Sequence, residues 1–283
     1  MILDPRPVVI LRRHSAIVAA VLSFVSAAVA QPIVPTDGQV LTANTTFVPG
    51  VYGLPHGVTL GAPGITLDMN GATLVGTGFN NYGVTSIGQN NIVVRNGTIR
   101  GYFYGIRIEN ASGIQVLDNT LSGNYVDPAS QTTNPPFLNI NAPANLSDRT
   151  NLGGGLYLRN VTGATVSRNT LRNQENGIDL YSVTGSTIDH NDASDNTGWG
   201  VHLNGSTGNT VRDNTADRCT RVNLNDSAGF LLVEGSSNNQ ILNNSFQQSG
   251  AGFFIGNENG CPSNDNLIQG NNGSNAGANA CFA

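Results

Sequence analysis

Two short segments of the 283-residue chain carry residue types that can move protons. Gly177–Leu180 reads GIDL and Gly200–Leu203 reads GVHL, so Asp179 and His202 occupy the same position of a motif that recurs after 23 residues. Histidine acts as a general base near neutral pH, and a neighbouring carboxylate can orient its ring. The two residues therefore predict a site that removes a proton from a substrate.

The motif that contains Asp179 and His202 is one unit of a longer repeat. It has the form Gly-apolar-x-apolar, and it begins at Gly83, Gly105, Gly155, Gly177, Gly200, Gly229 and Gly252. After each unit come an apolar residue, two or three further positions and an Asn, and then a third short segment such as Thr170-Leu171. A period of 22 to 23 residues without helical periodicity predicts a solenoid.

The repeats predict an all-β fold, a right-handed single-stranded parallel β-helix of about 7–8 rungs. Each rung supplies three short strands with apolar residues inward, and rungs stack by parallel pairing. Parallel crossovers strongly prefer the right hand. The recurring Asn is expected to take a left-handed backbone conformation at a turn and to bond to its neighbours above and below, which would build a ladder of Asn side chains.

Residues between the two apolar positions of each unit should point away from the core. This outward column reads Thr85, Arg107, Tyr157, Asp179, His202, Leu231 and Phe254, and a parallel column two residues along reads Glu109, Arg159, Tyr181 and Asn204. Because rungs lie about 4.8 Å apart, the four residues from Arg107 to His202 should form a strip of roughly 14 Å, the span of a few sugar units.

The repeats, together with ITLDMNGATLVG at Ile65–Gly76, resemble the parallel β-helix repeat proteins. That group includes pectin-lyase-fold enzymes, mannuronan C5-epimerase-like proteins and NosD-like periplasmic proteins, and the resemblance covers about residues 50–270. It implies a polysaccharide cleft over the first sheet. Asn124–Pro128, NYVDP, is similar to the Tyr-Gly-Phe-Asp-Pro-His motif of mannuronan C5-epimerases: Tyr125, Asp127 and Pro128 match, whereas Ala129 stands where the His would be.

These residues predict a secreted enzyme that acts on an acidic, uronate-containing polysaccharide by β-elimination or C5-epimerisation. Both reactions need a base, an acid and a cation near the carboxylate of the sugar. The expected catalytic residues are His202 as base, Asp179 to orient it, Tyr157 from the other side of the sugar ring, and Arg107 or Arg159 at the carboxylate. The expected substrate-binding residues are Arg159, Tyr181, Glu109, Asn204, Tyr125 and Asp127.

Two other functions fit the same residues. A glycoside hydrolase needs two carboxylates, and Asp179 and Glu109 would stand about 9–10 Å apart, with Asp127 or Glu175 as alternatives from loops. A non-catalytic carbohydrate-binding or accessory periplasmic β-helix would use Asp179 and His202 only as an ion pair.

Two insertions enter just before first-sheet units of the repeat. They span about Asn124–Asn151 and Arg218–Ala228. Both extend the same turn, so we expect them to wall a groove over the first sheet.

The N-terminus predicts export. Arg12-Arg13, an apolar run at Ala16–Ala28 and Ala28-Val29-Ala30 are typical of a signal peptide at 1–30. The remaining chain divides into 31–82 (an N-terminal cap and first rungs), 83–258 (the repeats) and 259–283 (a C-terminal cap or tail). We expect a secreted or periplasmic protein, monomeric and without a membrane anchor after cleavage.

The composition limits cofactors and partners. The net charge is −5 and all 13 basic residues are Arg, which argues against nucleic acid as a partner and excludes a lysine base. No cofactor is expected, except that a patch of aspartates could hold calcium: Asp189, Asp192, Asp195, Asp213 and Asp217. Cys261 and Cys281 are the favoured disulfide pair, with Cys219–Cys261 as the alternative.

Overall fold

The computed structural model describes residues 31–132, 152–222, 227–257 and 260–277. The expected signal peptide at 1–30, most of the first insertion, part of the second and Cys281 lie outside these ranges. Within them, no helix is long and apolar enough to cross a membrane.

The described chain consists of short strands and one short 3-10 helix, Pro128–Gln131. In chain order the strands are β1 (Gln39–Leu41), β2 (Thr45–Thr46), β3 (Val51–Gly53), β4 (Val58–Leu60), β5 (Thr66–Asp68), β6 (Thr73–Val75), β7 (Tyr82–Ile87), β8 (Val93–Arg95), β9 (Thr98–Arg100), β10 (Tyr104–Ser112), β11 (Gln115–Leu117), β12 (Gly154–Thr162), β13 (Thr165–Ser167), β14 (Asn176–Tyr181), β15 (Thr187–Asp189), β16 (Trp199–Asn204), β17 (Thr210–Arg212), β18 (Ala228–Val233), β19 (Gln240–Leu242), β20 (Ala251–Gly256) and β21 (Leu267–Gln269).

These strands form three parallel sheets that run along a solenoid. The first sheet has nine strands in the order β1-β4-β7-β10-β12-β14-β16-β18-β20, and the second has nine in the order β2-β5-β8-β11-β13-β15-β17-β19-β21. The third, β3-β6-β9, continues as single bridges such as Thr98 to Thr120 and Thr120 to Thr170. The parallel β-helix is therefore confirmed, with about nine turns where the repeats predicted 7–8.

The repeated glycine has a steric cause. A Cβ atom at Gly177 would lie 2.5 Å from the carbonyl oxygen of Gly200, and one at Gly200 would lie 2.6 Å from that of Gly229. Both distances are shorter than real Cβ contacts, so a larger residue would force the backbones of adjacent rungs apart. The glycine column thus follows from the close stacking of the rungs at the start of each first-sheet strand.

The Asn ladder is present, but its backbone geometry differs from the expectation. The backbone nitrogen of Asn169 donates to Oδ1 of Asn191 at 3.0 Å, and the backbone nitrogen of Asn191 donates to Oδ1 of Asn214 at 2.9 Å. The left-handed conformation belongs to the residue before each ladder Asn, such as His190 at φ 54°. The residue before the Asn therefore carries the backbone strain of the turn. The Asn that follows can then point its side chain into the ladder.

The interior of the solenoid is a narrow apolar column. Inward residues of the first sheet, among them Ile106, Leu156, Ile178 and Val201, have no solvent exposure and belong to one continuous core cluster. Each rung buries only a few such side chains, so its stability depends on its neighbours in the stack. This core fixes which residues of each strand face outward.

Candidate active site

The strand register brings the outward column together as the sequence predicts. Arg107 pairs with Tyr157, Tyr157 with Asp179, and Asp179 with His202. The column continues to Thr85 on one side and through Leu231 to Phe254 on the other. Four neighbouring rungs therefore present these polar and aromatic groups on one face of the first sheet.

The second column also forms as predicted. Glu109 pairs with Arg159, Arg159 with Tyr181, and Tyr181 with Asn204. The two columns lie side by side on β10, β12, β14 and β16. All eight residues from Arg107 to Asn204 thus occupy one contiguous area of the sheet.

Most of this area of the sheet is covered by protein and does not form an open groove. Tyr157 and Asp179 have no solvent exposure, and His202 and Tyr181 are 1% exposed. Arg107 and Arg159, at the end toward the N-terminus, remain partly exposed, with side-chain exposures of 21% and 35%. The outward face of the first sheet therefore changes from a half-open end at the arginines to a sealed end at His202.

Apolar clusters outside the solenoid account for part of this burial. One contains Phe103, Tyr104, Leu152, Tyr157 and Tyr181, with Tyr82 and Tyr125 packed against it. A second contains Trp199, Ala228, Leu231, Val233 and Ala251, with Phe254 packed against it. The Asp179–His202 pair lies on the rungs between these two clusters, which exclude water from it.

Asp179 and His202 form a hydrogen-bonded pair within this sealed region. Nδ1 of His202 lies 3.2 Å from Oδ1 of Asp179. The Tyr104 hydroxyl donates to the other carboxylate oxygen, Oδ2, at 2.5 Å. Among the described residues, Nε2 of His202 has no hydrogen-bond partner. Within the described residues, Nδ1 of the ring is thus hydrogen-bonded and Nε2 is not.

A row of aromatic rings leads away from His202 toward the N-terminal rungs. The ring centroid of Tyr181 lies 5.2 Å from that of His202 and 5.3 Å from that of Tyr157. Tyr181 is therefore the tyrosine in contact with His202, and Tyr157 stands one ring further away. Burial raises the pKa of Tyr157 far above its ordinary value, so its hydroxyl is protonated at neutral pH. That hydroxyl has no hydrogen-bond partner in the described part of the chain.

The two arginines are joined through Glu109. Nε of Arg107 donates to Glu109 at 2.7 Å, and Arg159 donates to its other oxygen at 2.5 Å. Burial by itself would raise the pKa of Glu109, but the hydrogen bonds and charges of the two guanidinium groups outweigh it, and the pKa is lowered. The three side chains therefore carry one net positive charge at neutral pH.

Arg107 and His202 lie at opposite ends of the outward column from Arg107 to His202. Three rungs, or roughly 14 Å, separate the two residues. The guanidinium carbon of Arg107 lies 4.8 Å from the ring centroid of Tyr82, on the preceding rung and away from His202. Arg159, on the next rung, lies nearer to His202 than Arg107 does, and the role of either arginine at a substrate carboxylate stays a prediction.

A second buried group of charges ties both insertions to the first sheet. Nη2 of Arg221 lies 3.9 Å from Oδ2 of Asp127 and 3.8 Å from Oε1 of Glu175. Oε2 of Glu175 accepts hydrogen bonds from the backbone nitrogen of Asp127 at 2.8 Å and from the Thr197 hydroxyl at 2.9 Å. Burial raises the pKa of Glu175 to about 7, against the opposing effects of the Asp127 amide and Arg221.

Among the residues that the structure describes, four of the five aspartates of the patch form ion pairs with arginines. Asp189 accepts from Arg212 at 2.9 Å, and Asp195 accepts from Arg218 at 2.6 Å. Asp192 pairs with Arg172. Within the described ranges, no group of three His, Cys, Asp or Glu side chains is arranged to hold a metal ion. Asp217 instead accepts hydrogen bonds from the Ser245 hydroxyl and the backbone nitrogen of Gln247, both at 2.7 Å.

The structure does not contain the Cys219–Cys261 disulfide, the second of the two expected pairings. Cys219 is buried in the core without a disulfide partner, its Sγ 3.4 Å from the carbonyl oxygen of Ala193. Burial raises the pKa of its thiol to about 12. The Cys219–Cys261 bond is therefore not formed. The favoured partner of Cys261 is Cys281, which lies outside the described residues.

Sequence reasoning missed the column that seals the site. The residue just before each repeated Gly also faces outward, and it is Tyr82, Tyr104 and Trp199 in three of the rungs. Reading one position before the Gly would have revealed these aromatic residues. Arg221 had no comparable signal, because it comes from an insertion that no repeat places in register.

Comparisons with known proteins support the fold. A family model described as a right handed beta helix region matches residues 144–281. Together with the parallel sheets, this match confirms the resemblance to parallel β-helix repeat proteins. A search of curated protein sequences found no match to this chain.

Several solved structures are similar to this chain, and the periplasmic alginate epimerase AlgG, with a TM-score of 0.54, supports the fold. AlgG is 15% identical, and the alignment covers 86% of this chain and 60% of that one. The catalytic domain of GH87 alpha-1,3-glucanase in complex with nigerose is 12% identical with a TM-score of 0.47, over 82% of this chain and 51% of that one. The Azotobacter vinelandii mannuronan C-5 epimerase AlgE4 A-module is 14% identical with a TM-score of 0.36, over 86% and 91%. The chain thus spans less than two thirds of the length of AlgG.

Proposed function

We propose that this protein is an exported carbohydrate-active enzyme that removes the C5 proton of a uronate unit in an acidic polysaccharide, leading to elimination or epimerisation. His202 is the base and Asp179 orients it. A tyrosine of the aromatic row, Tyr157 or the intervening Tyr181, acts as the acid. Arg159, on the nearer rung, neutralises the carboxylate of the reacting unit, and Arg107 binds a unit further along the chain.

One observation carries the proposal: His202 is held by Asp179 at Nδ1 while Nε2 has no partner among the described residues. A buried imidazole with one unsatisfied nitrogen is unusual for a purely structural histidine, since buried polar atoms are normally hydrogen-bonded. A general base needs this arrangement, because the free nitrogen must accept the proton of the substrate. The periplasmic alginate epimerase among the structural neighbours supports the choice of a uronate polymer and an exported location.

Substrate access requires the sealed end to open. His202 and Asp179 are fully buried, whereas Arg107 and Arg159 are partly exposed. A polysaccharide would first engage the arginine end, and its neighbouring unit would then displace the aromatic cover from His202. Expulsion of water from such a site strengthens its electrostatic interactions.

The test is a product-resolved assay on polyuronates and neutral glycans. Elimination leaves an unsaturated sugar that absorbs in the near ultraviolet, and epimerisation inverts C5, which NMR of the polymer detects. Turnover of a polyuronate, lost in Asp179→Asn with the β-helix intact by circular dichroism, is the expected result. A wild-type protein that leaves every polyuronate unchanged would overturn the proposal.

A non-catalytic carbohydrate-binding role is the second candidate, and the burial of the whole Tyr157–His202 strip favours it. An Asp179–His202 ion pair that only stabilises the buried clusters outside the solenoid would have the same geometry. This candidate predicts glycan binding without product formation, and binding that tolerates substitution of Asp179 and His202.

Hydrolysis is a third candidate because of Glu175. Its pKa of about 7 suits a general acid, and Asp127 supplies a second carboxylate near the same arginine. Hydrolysis would leave a new reducing end without near-ultraviolet absorption, and Glu175→Gln would abolish it.

A further inference from the structure

The hydroxyl of Tyr104 is the third member of a buried hydrogen-bonded chain. Tyr104 is at the start of β10, two rungs before Asp179, and its side chain has no solvent exposure. Its hydroxyl lies 2.5 Å from Oδ2 of Asp179, whose Oδ1 faces Nδ1 of His202 at 3.2 Å. The carboxylate therefore has a separate partner at each oxygen.

The direction of the Tyr104 hydrogen bond follows from the charges. Burial and the neighbouring carboxylate raise the pKa of Tyr104 well above its ordinary value, so its hydroxyl keeps its proton. A protonated tyrosine donates to a carboxylate, and a carboxylate with one oxygen so occupied directs the other to the imidazole. The Nδ1–H of His202 then donates a hydrogen bond to Asp179, and in this tautomer of the neutral ring the lone pair lies on Nε2.

We propose that Tyr104 is a positioning residue that fixes the orientation of Asp179, and through it the Nδ1–H tautomer of His202. This inference rests on the proposed function for its kinetic consequence, but the tautomer itself does not depend on catalysis. Tyr104 touches no reacting atom in this scheme. It acts by limiting Asp179 to one rotamer and one hydrogen-bond pattern.

A packing role alone is the competing explanation. The ring of Tyr104 lies 5.3 Å from that of Phe103 and 5.1 Å from that of Tyr157, so it also fills the apolar cluster. Substitution by Phe keeps the ring and removes only the hydroxyl. Tyr104→Phe therefore separates the hydrogen bond from the packing.

Tyr102 provides a matched control. It is also fully buried, and its hydroxyl donates to the backbone carbonyl of Leu54 at 2.7 Å, inside the solenoid core. Tyr102→Phe loses one buried hydroxyl hydrogen bond, as Tyr104→Phe does, without a contact to Asp179 or His202. A general effect of losing such a bond should appear in both variants.

The experiment is ¹⁵N NMR of the imidazole nitrogens in wild type, Tyr104→Phe and Tyr102→Phe, together with kcat and KM on the polyuronate that the wild type turns over. We expect the His202 signals of wild type and Tyr102→Phe to report protonated Nδ1 and unprotonated Nε2 in the neutral ring, and those of Tyr104→Phe to report a mixture of tautomers. We also expect kcat to fall by about tenfold in Tyr104→Phe with KM little changed, because a misoriented base slows the proton transfer and leaves binding intact.

The outcomes distinguish this inference from the proposed function. An unchanged tautomer in Tyr104→Phe, or the same change in Tyr102→Phe, overturns the positioning role whatever the activity. A mixture of tautomers in Tyr104→Phe alone, in a protein without turnover, supports the positioning role and rejects the proposed reaction. An altered tautomer with unchanged kcat rejects His202 as the base.

Discussion

The two outward faces of the solenoid use the same kind of cross-rung pair in opposite environments. On the first sheet Asp179 pairs in register with His202, and on the second sheet Asp189 pairs with Arg212. The first pair has side-chain exposures of 0% and 1%, whereas the second has 12% and 46%. Parallel stacking thus brings an acidic residue next to a basic one on either face. The residues that cover each sheet determine how far the pair is exposed to water.

The difference in cover changes the energetics of the two pairs. In the second-sheet pair water solvates the half-exposed Arg212 guanidinium, so the pair contributes less to stability. A buried pair pays a desolvation cost, and removal of one member leaves the other uncompensated. In the first-sheet pair, removal of either residue therefore leaves the other buried without its partner. This mutual dependence keeps the acid and the base in contact, as a proton-transfer site requires.

The largest expected effect is on stability when each aspartate is replaced by alanine. Asp179→Ala should lower the free energy of unfolding by about 3–5 kcal/mol, since it leaves the Tyr104 hydroxyl and the His202 ring buried without their partner. Asp189→Ala should lower it by less than about 1 kcal/mol. Urea unfolding of both variants measures the difference, and equal losses would contradict the distinction between the two faces.

The next effect is a pH dependence of stability from Glu175, with exposed Asp195 as the contrast. The pKa of Glu175 is raised from 4.5 to about 7, so the folded protein binds its proton more tightly than the unfolded chain. The stability that this proton provides is full below about pH 4.5 and is lost as the pH rises through about 7, a change on the order of 3 kcal/mol. The stability of wild type should therefore fall relative to Glu175→Gln over this range.

Asp195 should show the opposite sign. Its hydrogen bond from Arg218 lowers its pKa, so its contribution is present above the ordinary pKa of an aspartate and is lost as the pH falls below it. Relative to Asp195→Asn, wild type should lose stability on acidification. Urea midpoints between pH 3 and 8 test both signs, and parallel curves for wild type and Glu175→Gln would show that Glu175 does not titrate in this range.

The fold and the register of the site were predictable because the repeat fixes them. Once Gly177 and Gly200 are aligned, the parallel ladder places Asp179 beside His202, whatever else surrounds them. The burial of that pair was not predictable from the same pattern. It depends on Tyr104, at the position before the repeated Gly, and on residues in or beside the first insertion, such as Tyr125 and Leu152, which no periodicity places.

The turn chemistry was predicted only in part for a related reason. The Asn residues were correctly expected to form a ladder, but the left-handed residue is the preceding one: Asp118, Arg168, His190, Asp213 and Asn243. Asp, Asn and His occur in that conformation more often than other residues, whereas Arg168 gives no such indication. The stacking of the neighbouring rungs imposes the conformation on Arg168.

We propose that the sealed His–Asp pair of the first sheet performs the chemistry, and a second His–Asp contact allows a direct test. His190 lies 3.5 Å from Asp189 on the open second-sheet side, with 56% of its side chain exposed. The measurement is the turnover of a polyuronate by His202→Gln and His190→Gln, each checked for an intact β-helix by circular dichroism. We expect turnover to fall by at least about a hundredfold in His202→Gln, as for loss of a general base, and to stay at the wild-type level in His190→Gln. Wild-type turnover in a folded His202→Gln would contradict this proposal.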